Sequence, residues 1–295
     1  MINKSSIAVL LATYNGEKYL CAQLDSLLQQ SYHDFTVFVH DDFSKDGTVE
    51  ILNRYAKEYP GKIIIVDDNT SCGRGARDSF LFLLENVESH YYMFCDQDDI
   101  WLPDKMEVSI NRMKEEERET PNIPIVVHSD LMLVDQNANL LGETSWGRQK
   151  LTSSWFDTLE ANYIWVTRYS GCTMIFNEKA KSVSLPMDNR VKWHDLWVGL
   201  KTNMNHGKIV ALDRYTILYR QHGDNTSGVL PNVNVMSSSF KHLSHLKSFL
   251  VNHVELYKFS NSIIGCTPWQ YIKAKMHYYV LKMKHQKRSI VFISE

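Results

Sequence analysis

The fold is decided first by residues 7–16, IAVLLATYNG, in which a short apolar run ends in a polar, turn-prone segment. A continuous apolar run such as Ile7 to Ala12 is typical of a strand that is buried on both faces. Leucines then recur at helical spacing, at Leu20, Leu24, Leu27 and Leu28. Strand, turn and helix together predict the first unit of an alternating α/β fold.

The same unit repeats through about residue 118. Further strands are predicted at Phe35 to Val39, Ile63 to Val66 and Tyr91 to Cys95. Helices are predicted between them, around residues 51–59 and 80–84. The alternation indicates an α/β class with a Rossmann-like, mainly parallel sheet flanked by helices. Polar residues gather just after the strands, where open α/β sheets bind ligands.

The alternation loosens after residue 120. Strands are predicted at Ile125 to Val127 and Cys172 to Phe176, and a helix is predicted to open near Trp193-His194-Asp195. Composition shifts beyond Pro231, so we predict a main domain over residues 1–230 and a C-terminal helical segment over residues 231–295. That segment ends in a basic cluster, which consists of Lys273, Lys275, Lys282, Lys284, Lys287 and Arg288.

Composition excludes several classes of protein. The 295 residues carry a formal net charge of −2, which argues against a nucleic-acid partner. The cysteines are odd in number and scattered, which argues against a disulfide framework and a zinc site: Cys21, Cys72, Cys95, Cys172 and Cys266. The N-terminus lacks the pattern of a signal peptide and no apolar stretch is long enough to span a bilayer. We therefore expect a cytoplasmic protein, free or peripherally bound at the inner face of the membrane.

Acidic residues follow two of the predicted strands. Asp96-Gln97-Asp98-Asp99 places three carboxylates within four residues, and a hard divalent cation with oxygen ligands would offset their repulsion. The alternative is a solvated acidic loop or a helix N-cap cluster. Asp41-Asp42 follows the second strand and could accept hydrogen bonds from ribose hydroxyls or a base N–H.

Two further segments allow both a functional and a structural interpretation. Gly73-Arg74-Gly75 with Arg77 precedes a helix and suits a diphosphate, although a plain pair of loop glycines fits equally well. Asp195 lies between Trp193 and Trp197, where burial against aromatic rings would raise its pKa and suit a general base. A helix-capping aspartate beside core tryptophans explains that segment as well.

Taken together, these segments resemble glycosyltransferase family two, whose members are inverting transferases with the GT-A fold. The resemblance covers about residues 5–225 and rests on Asp-Asp-x-Ser-x-Asp-Gly-Thr at residues 41–48, at the expected distance before Asp-x-Asp at residues 96–98. Other matching segments are residues 12–16, residues 99–101 and Lys105. Residues 170–174, 194–197 and 219–223 are similar to rhamnosyltransferase-like members.

The resemblance implies a role for each matching position. It implies that the nucleotide sugar is bound by Thr13, Tyr14, Asn15, Asp41, Asp42, Arg77, Asp96 and Gln97. It implies that Mn²⁺ or Mg²⁺ is held by Asp98, Asp99 and His222, and that Asp195 is the catalytic general base. The implied reaction moves a sugar from a UDP- or dTDP-sugar to an acceptor hydroxyl by one inverting displacement, in glycan, polysaccharide or glycoprotein assembly. The acceptor would be a glycan, a lipid-linked molecule or a protein.

Two other functions compete with this interpretation. A nucleotidyltransferase would normally show a glycine-rich phosphate loop after the first strand, where this chain has Thr13-Tyr14-Asn15-Gly16. A non-catalytic nucleotide-sugar-binding protein would not need both Asp98 and Asp195. The C-terminal segment is expected to form helices that dock on the main domain. These helices either complete the core, form a homo-oligomer contact or meet a membrane surface through their lysines.

Overall fold

A computed structural model describes residues 6–67, 73–157, 169–191, 193–223, 253–254, 256–258, 260–262 and 265–293, with side chains through residue 286. The strands are β1 (Ile7–Thr13), β2 (Phe35–Asp41), β3 (Ile63–Ile65), β4 (Tyr91–Cys95), β5 (Ile100–Trp101), β6 (Ile125–Val134), β7 (Leu140–Thr144), β8 (Ile175–Asn177) and β9 (Lys208–Arg220). The helices are α1 (Leu20–Leu28), α2 (Thr48–Glu58), α3 (Ala76–Asn86), α4 (Lys105–Glu119), α5 (Ser145–Gln149), α6 (Ser153–Asp157), α7 (Glu178–Ser184), α8 (His194–Met204) and α9 (Pro268–Ile293). A 3₁₀ turn spans Gly171–Thr173.

The strands form one sheet in the order β3-β2-β1-β4-β8-β6-β9-β5, with β7 paired to β6. The pairings of β1 with β2 and β4, of β2 with β3 and of β6 with β9 are parallel. The pairings of β8 with β4 and β6, of β5 with β9 and of β7 with β6 are antiparallel. The α/β class and the flanking helices are confirmed, but the sheet is mixed rather than mainly parallel across its whole width. In the N-terminal half, where strand and helix alternate, every pairing among β1, β2, β3 and β4 is parallel.

Both faces of β1 are buried, as its continuous apolar run predicts. Ile7, Val9 and Leu11 pack on one face with residues of α1, α2 and α4. Ala8 and Leu10 pack on the other face with residues of α3, α7 and α8. The sheet therefore lies between two helical layers, and its polar strand ends are held in place by a core on each side.

The later strands differ from the sequence prediction in length and position. β6 is ten residues long and not three, and β9 and the short β5 were not predicted. Residues 172–176 are not one strand, because Gly171–Thr173 is a 3₁₀ turn and β8 begins at Ile175. The predicted boundary near residues 230 and 231 lies outside the described residues, as do Pro231 and Cys72.

The described C-terminal residues include α9, which packs on α5 and α6. Tyr278 contacts the ring of Trp155 with centroids 5.6 Å apart, and Gln286 Nε2 donates to the carbonyl of Gln149 at 2.7 Å. Thr152 Oγ1 and His285 Nε2 also form a 3.0 Å hydrogen bond. None of the helices in the described ranges combines the length and the hydropathy needed to cross a bilayer. The cellular location stays a prediction.

Candidate active site

The carboxyl ends of β1 and β2 place Thr13 beside Asp41. The two residues are register partners in the parallel ladder, and Thr13 Oγ1 donates to Asp41 Oδ1 at 2.8 Å. Asp41 also accepts hydrogen bonds from the backbone N–H of Ser44 at 2.9 Å and from Ser44 Oγ at 2.6 Å. Three donors therefore fix this carboxylate at the sheet edge where open α/β folds bind ligands.

The segment after β1 is tied to two other loops by side-chain hydrogen bonds. Gln97 Oε1 accepts from the N–H of Tyr14 at 2.8 Å, and Gln97 Nε2 donates to the carbonyl of Tyr14 at 2.9 Å. Asn15 Oδ1 accepts from the N–H of Lys45 at 2.7 Å. Gln97 and Asn15 thus position backbone in this structure, while the ring of Tyr14 is 55% exposed and free to line a pocket.

Asp42 organises the loop that precedes α3. Its carboxylate is buried and accepts from the backbone N–H groups of Arg74 at 2.5 Å and Gly75 at 2.8 Å. These are charge-assisted bonds of the kind that stabilise a helix start. Arg77 lies on the first turn of α3, and its Nη1 donates to the carbonyls of Asn189 at 2.9 Å and Val191 at 2.6 Å. The structure therefore directs Arg77 to the connection before α8.

The residues Asp96, Asp98 and Asp99, here called the acidic cluster, follow β4. Burial and the neighbouring carboxylates Asp98 and Asp195 raise the pKa of Asp96. Burial and the charges of Asp98 and Asp96 raise the pKa of Asp99 well above its usual range. Both shifts mean that burial and like charge disfavour the ionised carboxylates, and a cation bound beside them would favour the ionised forms. A solvated loop or a helix cap does not explain this, since Asp99 is fully buried and β5 follows it.

The donor set of the acidic cluster fits a hard divalent cation. Asp99 Oδ1 accepts from the N–H of Arg220 at 3.1 Å, while its buried Oδ2 has no hydrogen-bond partner among the described residues. Asp98 Oδ2 lies 2.7 Å from His222 Nε2, so the predicted pair of Asp98 and His222 is in contact. Carboxylate oxygens are the ligands that Mg²⁺ and Mn²⁺ prefer. Such an ion could bind the buried Oδ2 of Asp99, which otherwise has no partner among the described residues.

Cys172 approaches the acidic cluster from the 3₁₀ turn. One ligand atom each from Cys172, Asp96 and Asp99 lies within 4.8 Å of the others. Burial raises the pKa of the Cys172 thiol well above its usual range, and a neutral thiol is a poor ligand for a hard cation. We therefore regard Cys172 as a neighbour of the site, and the carboxylate oxygens of the acidic cluster as the candidate ligands of a cation.

A buried cation lies behind these acidic residues. Lys105 Nζ donates to the carbonyl of Cys172 at 2.9 Å and to Thr216 Oγ1 at 3.3 Å. Burial lowers the pKa of Lys105 to about 8, against the opposing charge of Asp99. Lys105 thus ties helix α4 to the turn that carries Cys172.

Asp195 lies on the first turn of α8 and is fixed by two backbone donors. Its Oδ2 accepts from the N–H of Gly171 at 2.9 Å, and its Oδ1 accepts from the N–H of Leu196 at 2.7 Å. Burial is the main cause of the raised pKa of Asp96, and the charge of Asp195 contributes to it, so the two carboxylates lie near each other. The 3₁₀ turn therefore joins the two parts of the site, because Gly171 holds Asp195 and Cys172 borders the acidic cluster.

His194 supports Asp195 from the apolar side. Its ring stacks on Phe80 with centroids 4.2 Å apart and meets Phe94 edge-on at 4.5 Å. Burial lowers the pKa of His194 although the charge of Asp195 opposes this, so the ring is held neutral in the core. His194 therefore packs the start of α8 against Phe80 and Phe94, and the carboxylate of Asp195 remains the candidate reactive group.

Sequence reasoning missed several residues that shape the site. Gly171, Arg220 and Lys105 were in the matching segments but received no role, and Tyr169 was not singled out. Arg220 Nε donates to the carbonyl of Asp98 at 2.7 Å, and Tyr169 is buried close enough for the charge of Asp195 to raise its pKa. In the sequence, the only indication of these residues was that they lie within or beside the matching segments. The functional roles of all these residues stay predictions.

Comparison with protein families adds an independent finding. The family described as "Glycosyl transferase family 2" matches residues 8–180. The dTDP-rhamnosyl transferase RfbG of Shigella flexneri is 28% identical over 233 residues, which cover 74% of this chain and 73% of RfbG. The putative teichuronic acid biosynthesis glycosyltransferase TuaG of Bacillus subtilis is 31% identical over 112 residues, 38% of this chain and 43% of TuaG.

Solved structures show the same fold. The crystal structure of S. aureus TarS 1-349 in complex with UDP-GlcNAc aligns with a TM-score of 0.56 and 19% identity, over 91% of this chain and 79% of that chain. The complex of TarS 1-349 with UDP aligns with a TM-score of 0.53 and 18% identity, over 74% of this chain and 61% of that one. This chain spans 57% of an uncharacterized glycosyltransferase, RT0329, of Rickettsia typhi.

Proposed function

Because the chain belongs to glycosyl transferase family 2, we propose that it moves a sugar from a nucleotide-diphosphate donor to an acceptor hydroxyl with inversion at the anomeric carbon. The observation that carries this proposal is the meeting of Asp195 with the acidic cluster across the turn Gly171–Thr173. One wall of that space holds a fixed carboxylate that can accept a proton. The other wall holds carboxylates suited to a metal–diphosphate complex.

The proposed reaction is one displacement. The acceptor oxygen forms a bond to the anomeric carbon as the bond from that carbon to the diphosphate oxygen breaks, and Asp195 takes the proton from the acceptor hydroxyl. Gly171 and Leu196 hold both oxygens of Asp195 from the backbone, so the base is oriented before the acceptor arrives. No glycosyl-enzyme intermediate is needed, in contrast to retaining glycosidases.

We propose that Mn²⁺ or Mg²⁺ is the cofactor, held by Asp98 and Asp99 with His222 beside them. The orphaned Oδ2 of Asp99 and the raised pKa values in the acidic cluster support this proposal. When bound, such an ion neutralises charge that develops on the departing nucleoside diphosphate. Asp96 would lie toward the ribose or a metal-bound water, and its buried carboxylate is close enough to Asp98 and Asp195 for their charges to raise its pKa.

The donor is proposed to be a UDP- or dTDP-sugar. The name of the Shigella relative specifies a dTDP-rhamnosyl transferase, and the TarS structures contain UDP and UDP-GlcNAc. We propose that Thr13 and Asp41, which are hydrogen-bonded to each other, bind the nucleotide, and that the exposed ring of Tyr14 meets the base. The proposed acceptor belongs to glycan or polysaccharide assembly, which the name of the Bacillus relative supports.

A thermal-shift screen of UDP- and dTDP-sugars with and without Mn²⁺ tests the proposal. A ligand that binds the native state stabilises it, by about 2.7 kcal/mol when present at a hundred times its Kd. We expect stabilisation by donor and Mn²⁺ together in the wild-type chain. Asp98→Asn should lose the Mn²⁺-dependent part of the stabilisation and should abolish transfer. Glu85→Gln neutralises an exposed carboxylate on α3 and is the control, which should keep the stabilisation and the transfer activity.

Near-normal turnover of Asp98→Asn at saturating Mn²⁺ would remove Asp98 from the metal site. Hydrolysis of the donor in the absence of acceptor separates an enzyme from a nucleotide-sugar-binding protein. Release of pyrophosphate from a nucleoside triphosphate would instead identify a nucleotidyltransferase.

A further inference from the structure

Helix α9 has two faces of different character. One face is buried: Tyr278 contacts Trp155 of the main domain, and Tyr271 packs with Tyr257 and Cys266 of the preceding C-terminal residues. The other face carries large apolar side chains that are exposed. We call this set the apolar stripe, and its members are Trp269, Ile272, Met276, Tyr279, Val280 and Met283.

The spacing of the apolar stripe makes it one continuous surface. Its members are separated by one, three or four residues, which places them along one side of a helix. The stripe extends from Trp269 to Met283, or about 21 Å at 1.5 Å per residue. Trp269 is 72% exposed and Met276 is 64% exposed, so these side chains are not the edge of the buried contact. Contiguous exposed apolar patches commonly mark a binding surface.

The charge around the apolar stripe has a single sign. Between Pro268 and Ile293 the sequence has six basic residues and no acidic residue, although the whole chain has a net charge of −2. Lys273 and Lys284 are exposed, and their helical positions flank the stripe on the same side. An exposed apolar stripe bordered by lysines is complementary to a surface that is apolar inside and anionic at its boundary.

We propose that the apolar stripe of α9 docks this protein on an anionic lipid surface, with the helix lying parallel to the bilayer plane. The stripe would enter the boundary between head groups and acyl chains, where tryptophan and tyrosine rings are favoured, and the lysines would meet the anionic head groups. Two copies of the chain that paired through this stripe would bring like charges together, which disfavours self-association there.

Contacts on the buried face of α9 connect the docking surface to the domain. Trp155 of α6 contacts both Tyr278 and His285, and the next residue, Phe156, meets the ring of His128 on β6 at 4.7 Å. His128 in turn lies 5.3 Å from the ring of Tyr169, near Asp195. Docking through α9 would therefore hold the whole domain at the lipid surface. This inference does not require the proposed reaction, since lipid binding is measured without substrates.

Co-sedimentation of the full chain with vesicles tests the proposal. We expect binding to vesicles of phosphatidylcholine with phosphatidylglycerol, much weaker binding to phosphatidylcholine alone, and weakening by added salt. Met276→Glu should reduce binding roughly tenfold or more, because it places a carboxylate in the middle of the stripe. Leu140→Glu is the matched control, since Leu140 is 65% exposed on β7 and far along the chain from α9.

The lysines are tested separately from the stripe. Lys273→Gln and Lys284→Gln should each weaken binding to the anionic vesicles about fivefold, which corresponds to about 1 kcal/mol for one basic residue near the surface. Lys57→Gln, an exposed lysine on α2, is the matched control and should change nothing.

Three results would overturn the proposal. The first is that the wild-type chain stays in the supernatant and does not sediment with anionic vesicles. The second is that Met276→Glu and Leu140→Glu bind equally well. The third is a dimer in solution, measured by sedimentation, that Met276→Glu dissociates, because the stripe would then be an interface between two copies of the chain.

Discussion

At the scale of single residues, the carboxylates of the site differ in how they are held. Asp195 accepts two backbone N–H groups, one for each oxygen. Asp98 pairs with His222, and Asp99 keeps one buried oxygen without a partner among the described residues. A carboxylate fixed by neutral backbone donors can still take up a proton. A carboxylate with an orphaned oxygen is better suited to a cation. The structure thus separates a candidate base from candidate metal ligands.

We predict that Asp195→Asn retains donor binding but loses most of the transfer rate, by about 10² or more. The amide cannot accept the proton of the acceptor hydroxyl, while its size preserves the packing against Gly171 and Leu196. Steady-state kinetics and donor titration measure the two effects separately. A folded variant that binds donor and transfers sugar at the normal rate would exclude Asp195 as the base.

The sequence pointed to candidate reactive residues, whose roles stay predictions, but it did not reveal the contacts that hold them. Asp98 and Asp195 were selected through the resemblance of their motifs, and in the structure Asp98 contacts His222 while Asp195 accepts from the N–H of Gly171. Asp42, Asn15 and Gln97 were predicted as nucleotide-sugar ligands, and in the structure they also hold backbone of neighbouring loops. Such bonds depend on loops distant in sequence, which no local pattern reveals.

At the scale of secondary structure, the turn at Gly171–Thr173 decides the arrangement of the site. The sequence predicted a strand over residues 172–176, because a short apolar run is typical of a buried strand. The same run does not exclude a turn at its start. The turn forms instead, and the N–H of Gly171 is aimed at Asp195. Mixed pairing in the second half of the sheet was missed for a related reason, since strand direction depends on connections and not on composition.

We predict that Gly171→Ala lowers the transfer rate by roughly tenfold or more, with a smaller effect on stability. A Cβ at this position would lie 3.1 Å from the Cβ of Asp195 and 3.2 Å from Nε2 of His194, closer than such atoms normally approach. His194 is packed between Phe80 and Phe94, so Asp195 is the side that must move.

Gly223→Ala is the control for this prediction. A Cβ there has open space, so the same substitution should leave the rate unchanged. The kinetics of both variants are compared with their thermal unfolding. Equal rates for Gly171→Ala, Gly223→Ala and the wild-type chain would show that the close approach of the turn to α8 has no catalytic role.

At the scale of the whole molecule, the sheet between two helical layers could be predicted and the placement of α9 could not. Alternation of strands and helices fixes the layers, because each buried strand needs helices on both faces. The sequence predicted C-terminal helices with apolar groups at helical spacing, but it left three uses for them open. The structure shows that α9 does complete a satellite core, formed by Trp146, Trp155, Phe156 and Tyr278. Removal of the whole segment would expose this core, so truncation cannot isolate the role of the outer face.

The two neighbouring tyrosines on α9 therefore provide a sharper test of its packing than truncation. We predict that Tyr278→Ala lowers the free energy of unfolding by roughly 3 kcal/mol, because the ring is buried against Trp155. Tyr279→Ala should change it by much less, by about 1 kcal/mol or below, since that ring is 43% exposed and its ring contact is with Tyr278 at 5.5 Å. Denaturant unfolding measures the difference, and limited proteolysis shows whether α9 detaches first. If α9 packs as described, the variants differ in stability, and Tyr279→Ala alone retains the wild-type resistance of α9 to protease. Equal behaviour of the two variants would mean that α9 is not seated on α6, and the outward orientation of the apolar stripe would lose its structural basis.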